Sequence, residues 1–160
     1  MRKWILPFAI IALTVFQLTI LGYFKIWQVK PDLLLTCMVM TSLIFSFDWK
    51  RAISFSIFSG ALKDIFYANN FGINTLVFTL WSIAILKVSK NISIDNNFNR
   101  AILICVIAIL NNIIIRLIFL FLGNPVVSLG IFLGIAILES LYTALVSPLV
   151  FKIIKPAVTL

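Results

Sequence analysis

Apolar residues fill most of this chain in six long stretches, with short polar segments between them. The stretches lie at about 4–22, 33–47, 52–67, 73–88, 101–122 and 129–154. A helix that crosses a bilayer needs about 20 predominantly apolar residues, with a range of about 17–25. The pattern therefore predicts an all-α fold, a compact bundle of six transmembrane helices that forms one domain over 1–160. The second, third and fourth stretches are slightly short for this purpose unless their flanks are counted.

The first stretch has a second interpretation, because Arg2 and Lys3 precede it as in a secretory signal peptide. The apolar run from Trp4 to Gly22 is long for such a peptide, and no small-x-small cleavage site follows it. Five further apolar stretches come after it. We therefore interpret it as the first transmembrane helix.

Composition supports a membrane protein and argues against nucleic-acid binding. The chain has 160 residues, of which 62% are apolar and 11% charged, whereas soluble domains have about 45–50% and about 25%. The net charge of +8 could indicate a nucleic-acid partner. The basic residues lie in short clusters beside the apolar stretches, however, and this distribution favours a role in membrane orientation.

The basic residues also predict the orientation of the chain. With six spans, only Lys25 and Lys30 fall in loops on one side of the membrane. Because basic residues accumulate on the cytoplasmic side, both termini are predicted to be cytoplasmic. The nine basic residues on the other side are Arg2, Lys3, Lys50, Arg51, Lys87, Lys90, Arg100, Lys152 and Lys155.

No motif in the sequence indicates catalysis, a cofactor or a metal. The chain has no histidine, and it lacks the GxSxG, HExxH and glycine-rich phosphate-loop patterns. Cys37 and Cys105 lie inside apolar stretches and are interpreted as small buried hydrophobes. We therefore expect a protein that is not an enzyme, with no catalytic, cofactor-binding or metal-binding residues.

Four charged residues, Lys63, Asp64, Arg116 and Glu139, lie inside the predicted spans, where charge is costly. Asp64 and Arg116 have similar predicted depth, so an ion pair between them is expected, whereas Lys63 is expected to reach the outer interface. Asn112, Arg116 and Glu139 extend this group into a polar seam between the third, fifth and sixth spans. The seam could only hold helices together, or it could carry protons or bind a small molecule. The sequence leaves these alternatives open.

Glycines mark predicted contacts between helices or with a partner. Gly60 and Gly72 flank the Lys63-Asp64 pair and allow close approach of another backbone. Gly130 and Gly134 form a GxxxG pattern on the sixth span, which permits close packing of two helices.

Several of these residues together resemble a known family. The second stretch opens with a proline and an acid, which suit a helix start, and a late proline predicts a kink in the sixth. In order, the features are Pro31-Asp32-Leu33-Leu34-Leu35, Gly60-x-x-x-Asp64 followed by Gly72, and Pro148. Over essentially its whole length the chain resembles the rod shape-determining protein MreD family. Lys63 departs from that pattern, in which an apolar residue is expected.

The resemblance implies a non-enzymatic component of the bacterial inner membrane that takes part in cell elongation. The implied direct partner is the bitopic protein MreC. The MreB filament and the peptidoglycan synthase complex are expected in the same assembly. The family is also similar in fold to the substrate-binding subunits of energy-coupling-factor vitamin transporters.

That similarity supplies an alternative function, a vitamin-binding transporter subunit. Such a subunit needs an outward pocket lined by polar groups, and the predicted outer loops are short and uncharged. Ala9 and Ala12 in the first span are three residues apart, whereas these subunits use a four-residue alanine spacing for docking. Both features favour the cell-elongation function.

Overall fold

The computed structural model describes residues 5–23, 29–66, 72–89, 96–123, 125 and 127–159, with side chains described except at 5, 20–23, 155 and 157–159. Trp4 and Tyr67, which end two predicted stretches, lie outside these ranges. The described residues form six helices and no β-strand, which confirms the all-α fold class. The helices are α1 (Ile5–Tyr23), α2 (Leu33–Ile44), α3 (Trp49–Phe66), α4 (Ile73–Ser89), α5 (Asn97–Phe121) and α6 (Leu129–Thr159).

Two helices begin before the apolar stretches predicted them to, because a polar residue caps each start. The Asn96 side chain accepts a hydrogen bond from the backbone of Phe98, so α5 begins at Asn97 rather than near residue 101. Asp48 likewise accepts from the backbone of Arg51 ahead of α3. Polar first turns are stable in a helix when such a cap satisfies their free N–H groups.

Two of the six helices are long and apolar enough to cross a membrane by themselves. Among the described residues these segments are Asn97–Phe121 and Leu129–Ile154. Three shorter helical segments are also apolar, at Leu6–Thr19, Leu33–Ile44 and Ile73–Ser89. Length and composition therefore identify two candidate spans.

The short helix α2 lies at the centre of the fold. Every residue from Leu33 to Ser42 is buried, and the helix packs against α1, α3, α4 and α6. Its 12 residues span about 18 Å. Its apolar side chains are therefore covered by the neighbouring helices.

Helices α3 and α4 pack closely because Gly60 has no side chain. A Cβ atom at Gly60 would lie 2.5 Å from the Cα of Thr75 and 3.0 Å from the carbonyl oxygen of Asn74. Both are backbone atoms of α4, which cannot move aside as a flexible side chain could. The predicted role of Gly60 in close approach therefore applies inside this chain, at the contact between α3 and α4.

Asp64, one turn after Gly60, caps the start of α4 from the neighbouring helix. Its Oδ1 accepts from the backbone N–H and the amide of Asn74, at 3.0 and 2.9 Å. Its Oδ2 accepts from the backbone N–H and the hydroxyl of Thr75, at 2.9 and 2.6 Å. Gly72, which precedes α4 at φ +98°, has no side chain to cap with. The carboxylate of Asp64 takes that role and also meets the positive end of the helix dipole.

Helices α5 and α6 form a hairpin. Its outer half, by which we mean residues 112–135 around the turn between the two helices, contains no buried residue among those described. Gly130 and Gly134 lie on this half, and a Cβ atom at either would meet nothing within 4 Å. The GxxxG pattern therefore makes no close helix contact within the described part of the chain.

Helix α6 continues through Pro148, where a kink was predicted. Proline cannot donate a hydrogen bond to the carbonyl four residues earlier, which here belongs to Ala144. The hydroxyl of Ser147 donates to that carbonyl at 2.7 Å. Ser147 thus replaces the missing bond, and the helix remains continuous to Thr159.

We expect Gly60→Ala to destabilise the fold by about 1–3 kcal/mol, because the added methyl group overpacks a backbone contact. Thermal unfolding of the purified protein in detergent, followed by tryptophan fluorescence, measures the change. Gly134→Ala is the matched control, since its methyl group meets open space. Equal unfolding temperatures for the two variants would show that Gly60 does not hold α3 and α4 together.

Candidate functional site

The polar side chains of the structure gather at the start of α2. We call this group the polar cluster; it consists of Gln17, Asp32, Lys63, Asn112, Glu139 and Thr143, which come from five helices or their caps. Each lies within or beside a mainly apolar helix. The polar cluster therefore shows how the charges of this apolar fold are accommodated.

Asp32 is the centre of the polar cluster. It is 5% exposed and is the N-cap of α2, where its Oδ1 accepts from the backbone N–H of Leu35 at 3.0 Å. An aspartate suits this position because it satisfies a free N–H group and opposes the helix dipole. The expected acid at this helix start is confirmed, and Pro31 is buried one residue before the cap.

Two neighbouring helices bind two further backbone N–H groups at the start of α2. The hydroxyl of Thr143 on α6 accepts from the backbone N–H of Asp32 at 3.0 Å. The side-chain oxygen of Gln17 on α1 accepts from the backbone N–H of Leu33 at 3.1 Å. These buried bonds fix the position of α2 relative to α1 and α6.

Lys63 pairs with Asp32, which corrects the expectation that it reaches the outer interface. Its Nζ binds Oδ2 of Asp32 and lies 5.1 Å from the centre of the Phe78 ring. The Lys63 side chain is only 13% exposed. The ion pair and the aromatic face together stabilise a cation that the apolar surroundings would otherwise exclude.

The expected ion pair between Asp64 and Arg116 does not form. Asp64 is fully engaged with the start of α4, as described above. Arg116 donates to the backbone carbonyl of Val127 at 2.8 Å, and its guanidinium lies 4.3 Å from the centre of the Phe132 ring. Their similar predicted depth suggested an ion pair, but Asp64 binds the start of α4 and Arg116 binds residues at and before α6.

Asn112 and Glu139 do come together, across the contact between α5 and α6. The amide of Asn112 donates to Oε2 of Glu139 at 3.3 Å. Asp32, Lys63 and Lys30 lie close enough to act electrostatically on the Glu139 carboxyl group. Of the predicted seam, the structure therefore joins Asn112 to Glu139 and places Asp64 and Arg116 elsewhere.

Sequence reasoning missed Gln17 as a site residue and did not pair Lys63 with Asp32. A single amide in an otherwise apolar stretch was the available signal for Gln17. No spacing rule could pair Lys63 with Asp32, because they lie 31 residues apart on different helices.

The chemistry of the polar cluster is that of charge compensation and helix capping. Within the described ranges, no three His, Cys, Asp or Glu side chains are grouped so that they could hold a metal ion. Cys37 is fully buried in the core and Cys105 is half-buried. The hydrogen bonds of the cluster orient the start of α2, and the Glu139 carboxylate accepts one hydrogen bond, from Asn112.

We expect Lys63→Met to destabilise the protein by about 3–5 kcal/mol, because it leaves the Asp32 carboxylate buried without its counterion. The double variant Asp32→Asn with Lys63→Met should recover part of that loss, since asparagine also caps helices well. A double-mutant cycle on thermal unfolding measures the coupling between the two residues.

The exposed pair of Arg51 and Asp48, with side chains 65% and 44% exposed, is the control for that cycle. Arg51→Met should change stability by less than about 1 kcal/mol. Equal losses from Arg51→Met and Lys63→Met would contradict a structural role for the buried pair.

Comparison with known proteins identifies the family of this chain. The model of the family described as rod shape-determining protein MreD matches residues 1–157. No curated protein and no solved structure gives a significant match. The family match spans nearly all 160 residues, including all the residues of the polar cluster, so this chain belongs to the MreD family.

Proposed function

We propose that this protein is a multi-pass component of the bacterial inner membrane that binds MreC and helps to organise lateral peptidoglycan synthesis. Membership of the MreD family, over residues 1–157, is the observation that carries this proposal. Members of that family are membrane proteins of the cell envelope that determine cell shape. The MreB filament and the peptidoglycan synthase complex are the further partners that we propose for the same assembly.

We infer that all six helices lie in the bilayer. Helix α2 is short but is covered by its neighbours, so it need not match the bilayer thickness as a lipid-exposed helix must. Polar groups at its start bind side chains from α1, α3 and α6, which lowers the cost of burying them in a low-dielectric environment. With the biased distribution of basic residues, this supports six spans with both termini in the cytoplasm.

The topology predicts which turns can be labelled from outside the cell. Single cysteines at Phe47 and Ser128, both exposed, would be introduced after Cys37 and Cys105 are replaced by alanine. A membrane-impermeant maleimide should label Ser128→Cys in intact spheroplasts and Phe47→Cys only after lysis. Labelling of both positions from the same side would contradict the three membrane crossings between them, and the reverse pattern would contradict the orientation.

A structural role in an assembly agrees with how the charges of this chain are used. Asp32, Lys63 and Asp64 are engaged in holding helices together, whereas the outer half of the α5–α6 hairpin has no buried residue. Gly130 and Gly134 on that hairpin are open to close approach by another helix. We propose that this hairpin, rather than α2 or α3, is available to a partner.

Co-purification tests the proposed partner directly. The tagged chain, co-expressed with MreC from the same cell, should retain MreC through detergent extraction and two purification steps. An unrelated single-span protein expressed at the same level is the control. Recovery of MreC no better than that of the control would refute the proposed interaction.

A further inference from the structure

The Glu139 carboxylate is the least satisfied charged group of the polar cluster. It accepts one hydrogen bond among the described residues, from the Asn112 amide at 3.3 Å, slightly longer than the usual range of about 2.7–3.2 Å. Asp64, by contrast, accepts four. Lys63 lies close enough to act on Glu139 but is bound to Asp32. Glu139 therefore retains the capacity to accept further hydrogen bonds.

Glu139 is also accessible. It is half-buried, so part of its side chain reaches the surface of the chain. It lies ten residues after the start of α6 at Leu129, which corresponds to about 15 Å along the helix axis. One turn further along α6 lies Thr143, whose hydroxyl accepts a hydrogen bond from the backbone N–H of Asp32. The carboxylate of Glu139 therefore lies near the level at which α2 begins.

We propose that Glu139 accepts a hydrogen bond from a donor side chain on the transmembrane helix of the partner, an inference that rests on the proposed function. Lipid tails carry no donors, so they cannot supply the further hydrogen bonds that this carboxylate can accept. A transmembrane helix alongside α5 and α6 can present a serine, asparagine, glutamine, lysine or arginine at the required depth. Asn112 then holds the carboxylate in position, and the contact sets the register of the partner helix.

Glu139 and the GxxxG pattern lie on different faces of α6. Glu139 and Ile135 are four residues apart and share a face. Gly130 is nine residues from Glu139, which places it about 180° away around a helix with 3.6 residues per turn. Leu141 lies close to the Gly130 face. A partner helix that reaches Glu139 therefore does not rest on the GxxxG pattern.

Substitutions at Glu139 separate recognition from stability. In the full chain co-expressed with MreC, Glu139→Leu should lower the recovered MreC at least tenfold while the unfolding temperature of the isolated chain stays equal or rises. Glu139→Gln, which keeps an acceptor oxygen, should retain most of the binding. Leu141→Ala is the control, because Leu141 is 50% exposed and lies about 160° from Glu139 around the helix, and it should leave recovery unchanged.

Three outcomes of that experiment would overturn the proposal. Undiminished recovery of MreC by Glu139→Leu would exclude the contact while leaving the proposed function intact. A lower unfolding temperature for Glu139→Leu, with a matching loss of MreC, would show a merely structural role. Failure of the unmodified chain to recover MreC would refute the proposed function together with this inference.

Photo-cross-linking identifies the face independently of any energetic effect. A benzophenone amino acid placed at Ile135 should give an adduct with MreC, and the same probe at Leu141 should not. Both positions are exposed. An adduct from Leu141 alone, an adduct with a second copy of this chain, or no adduct from Ile135 would each overturn the assignment of the Glu139 face.

Discussion

The buried carboxylate of Asp32 is the interaction on which the rest of the structure depends. A helix that is covered on every side must also bury its first N–H groups, which no residue of the helix itself can satisfy. Asp32 caps one of these groups, and Gln17 and Thr143 take the neighbouring two. Lys63 compensates its charge. One helix start thus connects α1, α2, α3 and α6.

The start of α4 follows the same principle with a different residue. Gly72 provides the turn but no cap, and Asp64 reaches across from α3 to supply one. That reach requires α3 and α4 to be close, which Gly60 permits. The sequence Gly60-x-x-x-Asp64 is therefore one structural unit, in which the glycine sets the distance and the aspartate makes the bonds. Charged residues in this apolar chain mainly serve to join helices.

The use of charged residues to join helices bears on function in the MreD family. A partner of the rod-shape machinery needs a surface that the chain does not use for its own packing. The α5–α6 hairpin offers one, with exposed glycines on one face and the Asn112–Glu139 contact on another. The second face is distinguished by the Glu139 carboxylate, which accepts only one hydrogen bond among the described residues. Because desolvated polar groups favour one matching partner over others, that face can provide specificity as well as adhesion.

The sequence by itself determined the six helices, the all-α fold class, the acid at the start of α2 and the family. These follow from apolar stretches, local capping and residue order, which act along the chain. The depths predicted from the spans also grouped Asn112 with Glu139. It could not give the direction in which each side chain points around its helix. For that reason Asp64 was paired with Arg116 and Lys63 was expected at the interface. Only the tertiary structure, through the close approach of α3 and α4 and the burial of α2, decided that Asp64 binds α4 and that Lys63 binds Asp32.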